Sequence, residues 1–128
     1  MAKDSFFRNV FKVKGFFTSL RIALQGIIYL FLYHHNMRLI FIFGILAFLA
    51  GIYFKLKGIE LIALCITITL VFMAEIFNTA IELLMDTITE KFHIKIKLVK
   101  DIAAGVVVLA CLNAIAIGYI IFIRKIIK

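Results

Sequence analysis

Glu75-Ile76-Phe77-Asn78-Thr79-Ala80-Ile81-Glu82-Leu83-Leu84-Met85-Asp86 is the stretch whose reading decides the fold. Glu75, Asn78, Thr79, Glu82 and Asp86 stand at offsets 0, 3, 4, 7 and 11. At about 100° per helical residue, all five fall within about 60° of one line. Between them lie Ile76, Phe77, Ala80, Ile81, Leu83 and Leu84. The segment is a helix with one polar stripe on an apolar surface. Upstream, Leu61 to Ala74 carries no charge, so one helix is expected from Leu61 to about Thr89. At 1.5 Å per residue it outruns a hydrocarbon core of ~30 Å, and its last turns emerge into water.

Composition agrees. Of 128 residues, 65% are hydrophobic and 17% charged, whereas a soluble domain is nearer half apolar and a quarter charged. Proline is absent, which suits long uninterrupted helices. The net charge of +8 comes from basic residues flanking apolar runs, so it reads as topology and headgroup contact, not nucleic-acid binding. Cys65 and Cys111 sit in apolar runs without ligand spacing, so neither a disulfide nor a metal site is expected. No cleavable signal peptide is expected at the N-terminus.

Working outward from the stripe, Ile102 to Ile123 is uncharged and forms another span, with Arg124, Lys125 and Lys128 closing it. Residues 90–101, with Lys91, Lys95, Lys97 and Lys100, read as the connection between the two. On the other side, Leu39 to Phe54 is a span flanked by Arg38 and Lys55, whose stems snorkel. Lys55 to Glu60 is the turn after it. Residues 3–33 alternate phenylalanines with Lys3, Arg8, Lys12, Lys14 and Arg21, the pattern of helices lying in the membrane interface, with a break at Gly15. Ile22 to Tyr33 is only 12 residues, too short to span at ~1.5 Å each; the alternative is that it begins the first span. His34 and His35, about 100° apart on a helix, are interfacial anchors and not a metal pair.

The expectation is an all-α membrane protein in a single domain over 1–128. Surface helices occupy about 3–34 and three spans about 38–55, 60–88 and 99–123. The side holding the N-terminus and the 90–101 connection carries ten basic residues against five on the other, which places it in the cytoplasm.

Ionisable groups at membrane depth mark function. A purely structural stripe needs less charge than three carboxylates and an amide. Two functional readings fit: an ion or proton path, or a metal and phosphate site with Glu82 as oxygen ligand and Glu75 as base. Lys100, placed to neutralise phosphate oxygens, favours the second.

Ala74 to Glu82, with Asp86, His93 and Lys100-Asp101-Ile102-Ala103-Ala104-Gly105-Val106, resembles the signature of the small prokaryotic integral-membrane diacylglycerol and undecaprenol kinases. The match is strong over about residues 74–110. The resemblance implies a homotrimer in the bacterial inner (cytoplasmic) membrane, passing the γ-phosphate of MgATP to the hydroxyl of diacylglycerol or undecaprenol. It implies Glu75 as general base and Glu82 as the Mg²⁺ carboxylate. It places Asn78 and Asp86 in the site wall and nucleotide pocket, and Lys100 and Asp101 on the nucleotide. Arg8 and Lys12 are candidate nucleotide contacts. One departure stands out: no Asp or Glu occurs between Asp4 and Glu60, where the family usually supplies a second metal carboxylate. Gln25 is the substitute ligand available there. The competing readings are a weakly active or inactive relative serving as a membrane scaffold, and a small carboxylate-dependent transporter.

Overall fold

A computed structural model describes residues 2–127, apart from the side chains of residues 6, 7 and 10–14. Its elements are α1 (Ala2–Tyr33), α2 (His35–Tyr53), α3 (Ile59–Ile88) and α4 (Ile94–Ile127), with no strand among the described residues. The chain divides into two compact units, one through His35 and one from Asn36 onward.

The first unit is α1. It runs unbroken through Gly15, where the sequence reading expected an interruption. A single helical glycine costs only about 1 kcal/mol relative to alanine, which the flanking turns outweigh. Gly15–Tyr33 is also long and apolar enough to cross a membrane. Arg21 interrupts this stretch without ending it, because its long side chain can carry the charge toward the interface. By length and composition there are thus four candidate spans among the described residues, where three were expected. At the end of α1, Tyr29 packs on Tyr33 with ring centroids 4.8 Å apart.

The second unit is built on α2, α3 and α4. The α2–α3 turn is a Schellman cap. The Leu56 N–H donates to Gly51 O at 2.9 Å and the Lys55 N–H to Ile52 O at 3.0 Å. Lys55 takes the left-handed position with φ 58°, and Gly58 follows at φ 59°. Leu56 folds back into a small core with Leu64 and Ile121. Gly51 permits this, because a Cβ there would stand 2.7 Å from Leu64 Cδ2 and 3.2 Å from Leu56 Cδ1. Beside this core, residues of α2, α3 and α4 line a half-open apolar pocket of about 390 Å³. Most large apolar side chains, such as Leu109, Leu112 and Tyr119, face outward, as expected where the solvent is lipid.

The expected connection over 90–101 is shorter in the structure, because α4 already begins at Ile94. Thr89 and His93 bracket the link. Thr89 Oγ1 accepts from the Lys91 N–H at 3.0 Å, and His93 Nδ1 accepts from the Lys95 N–H at 3.1 Å. The second bond satisfies one of the free amides at the start of α4. Lys95, Lys97, Lys100 and Asp101 therefore ride on α4 instead of lying in a loop.

The α3 and α4 helices form an antiparallel hairpin in a nearly constant register. Glu60 meets Lys125 at 3.4 Å, Leu64 packs with Ile121, and Asp86 meets Lys100 at 2.6 Å. Glu60 and Asp86 are separated by about 39 Å of helix at 1.5 Å per residue. That exceeds the ~30 Å hydrocarbon core, so the hairpin is long enough for both ion pairs to clear it.

Candidate active site

The stripe on α3 forms as its spacing predicts, and the structure divides it by depth. Glu75, Asn78 and Thr79 are buried, while Glu82 and Asp86 are exposed. A carboxylate and an amide buried at 5% and 7% exposure are costly on an apolar helix, so their retention marks a site. Thr79 Oγ1 donates to Glu75 O at 2.9 Å and is satisfied within its own helix. Asn78 Nδ2 donates to Glu82 Oε1 at 3.4 Å, joining the buried half of the stripe to the exposed half. Asn78 Oδ1 is buried with no hydrogen-bond partner among the described residues.

At the outer end of the stripe, Asp86 accepts from Lys100 Nζ at 2.6 Å. This pair lines an open cleft of about 720 Å³ where α3, the link and α4 meet. The other walls are Thr89, Glu90, Lys91, Phe92, His93, Ile96 and Lys97. Three lysines against two carboxylates leave the cleft basic. With its Nδ1 held by the Lys95 amide, a neutral His93 carries its proton on Nε2. The cleft can therefore offer a cluster of donors to an anion.

The structure brings Asp86 and Lys100 together across α3 and α4. It gives Asp101 a different immediate partner: Lys97 Nζ, 2.7 Å away and one helical turn back. Glu75 lies eleven residues below Asp86, about 16 Å along α3, and is not a wall of the cleft. Arg8 and Gln25 stand exposed on α1, with Arg8 Nε donating to Asp4 O at 3.4 Å. The Lys12 side chain lies outside the described residues. No group of three His, Cys, Asp or Glu side chains able to hold a metal occurs among the described residues. Sequence reasoning missed the walls Thr89, Glu90, Phe92 and Ile96, and took Lys91 and Lys97 as part of a connection only. The available signal was the shortness of a link that must turn two long helices back on one another.

Fold and site together define an integral-membrane helical protein whose carboxylate stripe leads from apolar depth to a basic cleft. A family model described as prokaryotic diacylglycerol kinase matches residues 21–122. A diacylglycerol kinase of Synechocystis sp. (strain ATCC 27184 / PCC 6803 / Kazusa) is 33% identical over 119 residues, covering 91% of this chain and 68% of that protein. An undecaprenol kinase of Bacillus subtilis (strain 168) is 38% identical over 77 residues, covering 60% of this chain and 63% of that one. The chain belongs to the prokaryotic diacylglycerol kinase family: it is a lipid kinase, with ATP as co-substrate. The family match takes in the whole stripe, Lys100, Asp101 and Gln25, and begins after Arg8 and Lys12.

Proposed function

We propose that this protein transfers the γ-phosphate of MgATP to the hydroxyl of a membrane lipid, diacylglycerol or undecaprenol. The observation that carries the reading is the split stripe. A buried carboxylate, Glu75, lies two turns below an exposed one, Glu82, on the same helix face that ends in the Asp86–Lys100 cleft. A lipid hydroxyl reaches Glu75 from the apolar side, and a nucleotide reaches Glu82 and Lys100 from water.

Glu75 takes the hydroxyl proton as the lipid oxygen attacks phosphorus. Lys100 and the other lysines of the cleft neutralise phosphate oxygens. Phosphoryl transfer asks for placement and charge neutralisation above all. The donor set fits Mg²⁺, which takes one or two carboxylates and completes its shell with phosphate oxygens and water. Glu82 would hold it, with Gln25 as a second oxygen ligand. Such an ion would supply charge neutralisation to the phosphates of the nucleotide. Asp101, Arg8 and Lys12 contact the nucleotide in this reading.

The same proposal takes α2, α3 and α4 as the three spans, with α1 lying along the surface. It places the N-terminus and the α3–α4 link in the cytoplasm of a bacterial inner membrane, and three copies in the working assembly. The basic excess on that side supports the orientation.

ATP consumption in mixed micelles, with diacylglycerol and undecaprenol offered separately, tests the reading. The wild type is expected to turn over one of them, and Glu75→Gln to lose about 10²- to 10⁴-fold as a general base is removed. Glu82→Ala is expected to demand far more Mg²⁺. Full turnover by Glu75→Gln defeats the base assignment. ATP binding without turnover of either lipid by the wild type favours the scaffold reading.

A further inference from the structure

Asn78 has two ends with different fates. Its Nδ2 is committed to Glu82 at 3.4 Å, which also fixes the orientation of the amide, since Oδ1 facing a carboxylate would be repelled. Its Oδ1 is buried without a hydrogen-bond partner among the described residues, on a side chain only 7% exposed. An unsatisfied buried acceptor is costly and is retained where a donor arrives during function. The neighbouring hydroxyl on this face, that of Thr79, already donates to Glu75 O and supplies nothing. Glu75 lies three residues before Asn78, one turn away on the same face, within side-chain reach. An ionised carboxylate only accepts hydrogen bonds, but a protonated one carries an O–H donor.

We propose that Asn78 Oδ1 is the acceptor for the proton that Glu75 acquires, which makes Asn78 a positioning residue that ties the base to Glu82. The proposal rests on the kinase reading. In the step, the lipid O–H bond breaks and its proton passes to Glu75, while the lipid oxygen forms a bond to the γ-phosphorus. The bond between that phosphorus and the β–γ bridging oxygen breaks, its electron pair leaving on ADP. The new Glu75 O–H then donates to Asn78 Oδ1. The bond does not exist before proton transfer, so it favours the protonated base over the ionised one and draws the transfer forward. Through Nδ2, the same amide keeps Glu82 aligned while the proton moves.

Glu75→Gln tests the contact without turnover, because a glutamine amide is a permanent donor in the place of the protonated acid. Thermal unfolding of the purified full chain in detergent is measured for the wild type, E75Q, N78A and the double variant. E75Q is expected to raise the midpoint by several degrees in the wild-type background and to give no such rise in the N78A background. N78L, similar in size and apolar, replaces N78A if the latter does not purify. Equal shifts in both backgrounds, or no rise in either, overturn the proposal. In the kinase assay, N78A is expected to lower kcat about 5- to 150-fold while leaving the lipid KM unchanged; this is the loss of one buried hydrogen bond worth about 1–3 kcal/mol. A raised lipid KM with unchanged kcat overturns the positioning role. Full turnover by E75Q together with a coupled midpoint shift refutes the base assignment and upholds the contact, so the two failures are distinguishable.

Discussion

Lys100→Met separates what the Asp86–Lys100 pair does for the fold from what it does for the reaction. The pair is short, 2.6 Å, but its side chains are 37% and 64% exposed for Lys100 and Asp86. An ion pair so open to solvent contributes about 0–1 kcal/mol to stability, because water and salt screen it. Methionine keeps much of the stem, so the unfolding midpoint should fall only slightly. A hydrogen bond from the ammonium to a phosphate oxygen is a larger quantity, about 1.5–3 kcal/mol. Its loss lowers kcat/KM for MgATP about 10- to 150-fold. The assay is steady-state ATP consumption at saturating lipid, beside thermal unfolding of the same preparation. The charge exchange Asp86→Lys with Lys100→Asp sharpens the result. It restores an ion pair between α3 and α4, and hence the midpoint, but puts a carboxylate where phosphate oxygens need a cation. Recovery of kcat/KM in the exchanged protein would refute the reasoning and make Lys100 a purely structural residue.

Two further outcomes follow from other parts of the molecule. Gly51→Ala should lower the unfolding midpoint. The added methyl meets Leu64 Cδ2 at 2.7 Å and Leu56 Cδ1 at 3.2 Å, both on buried side chains, and overpacking of about 1–3 kcal/mol outweighs a helix-propensity gain of about 1 kcal/mol; a raised midpoint would contradict the tight approach of α2 to the core. Gln25→Glu should shift half-saturation of a Mg²⁺ titration to lower concentration, and an unchanged curve would argue against Gln25 as a metal ligand.

The polar stripe was legible because it lies on one element. Offsets of 3, 4 and 7 specify a helix face without knowledge of any neighbour. That the stripe runs outward from apolar depth was legible from the length of the helix; which of its residues are buried by neighbours was not, since that depends on what packs beside α3. The start of α4 was obscured by Lys95, Lys97 and Lys100, which read as loop by charge. On a helix that emerges into the headgroup region those side chains simply point to water and anions, and the backbone continues to bond. The cap made by His93 Nδ1 has no common sequence signature. The pairings of Glu60 with Lys125 and Asp86 with Lys100 required the register of two helices, which no local pattern encodes. In α1, Gly15 and Arg21 mask a 19-residue stretch of spanning length, since neither breaks the helix.

The α3–α4 hairpin carries charged pairs about 39 Å apart along its axis. It behaves as a strut whose polar ends must clear the oil. Across a hydrocarbon thickness of ~30 Å, the strut can lean until its vertical reach falls to that value, a tilt of about 40°. Every inclination between upright and that limit keeps both pairs out of the hydrocarbon. Thinner bilayers widen the permitted range, and only one approaching 39 Å of hydrocarbon would hold the hairpin vertical. An enzyme that consumes and makes lipids changes the composition of its own solvent, and this slack lets the Glu75 face follow the membrane as its thickness changes.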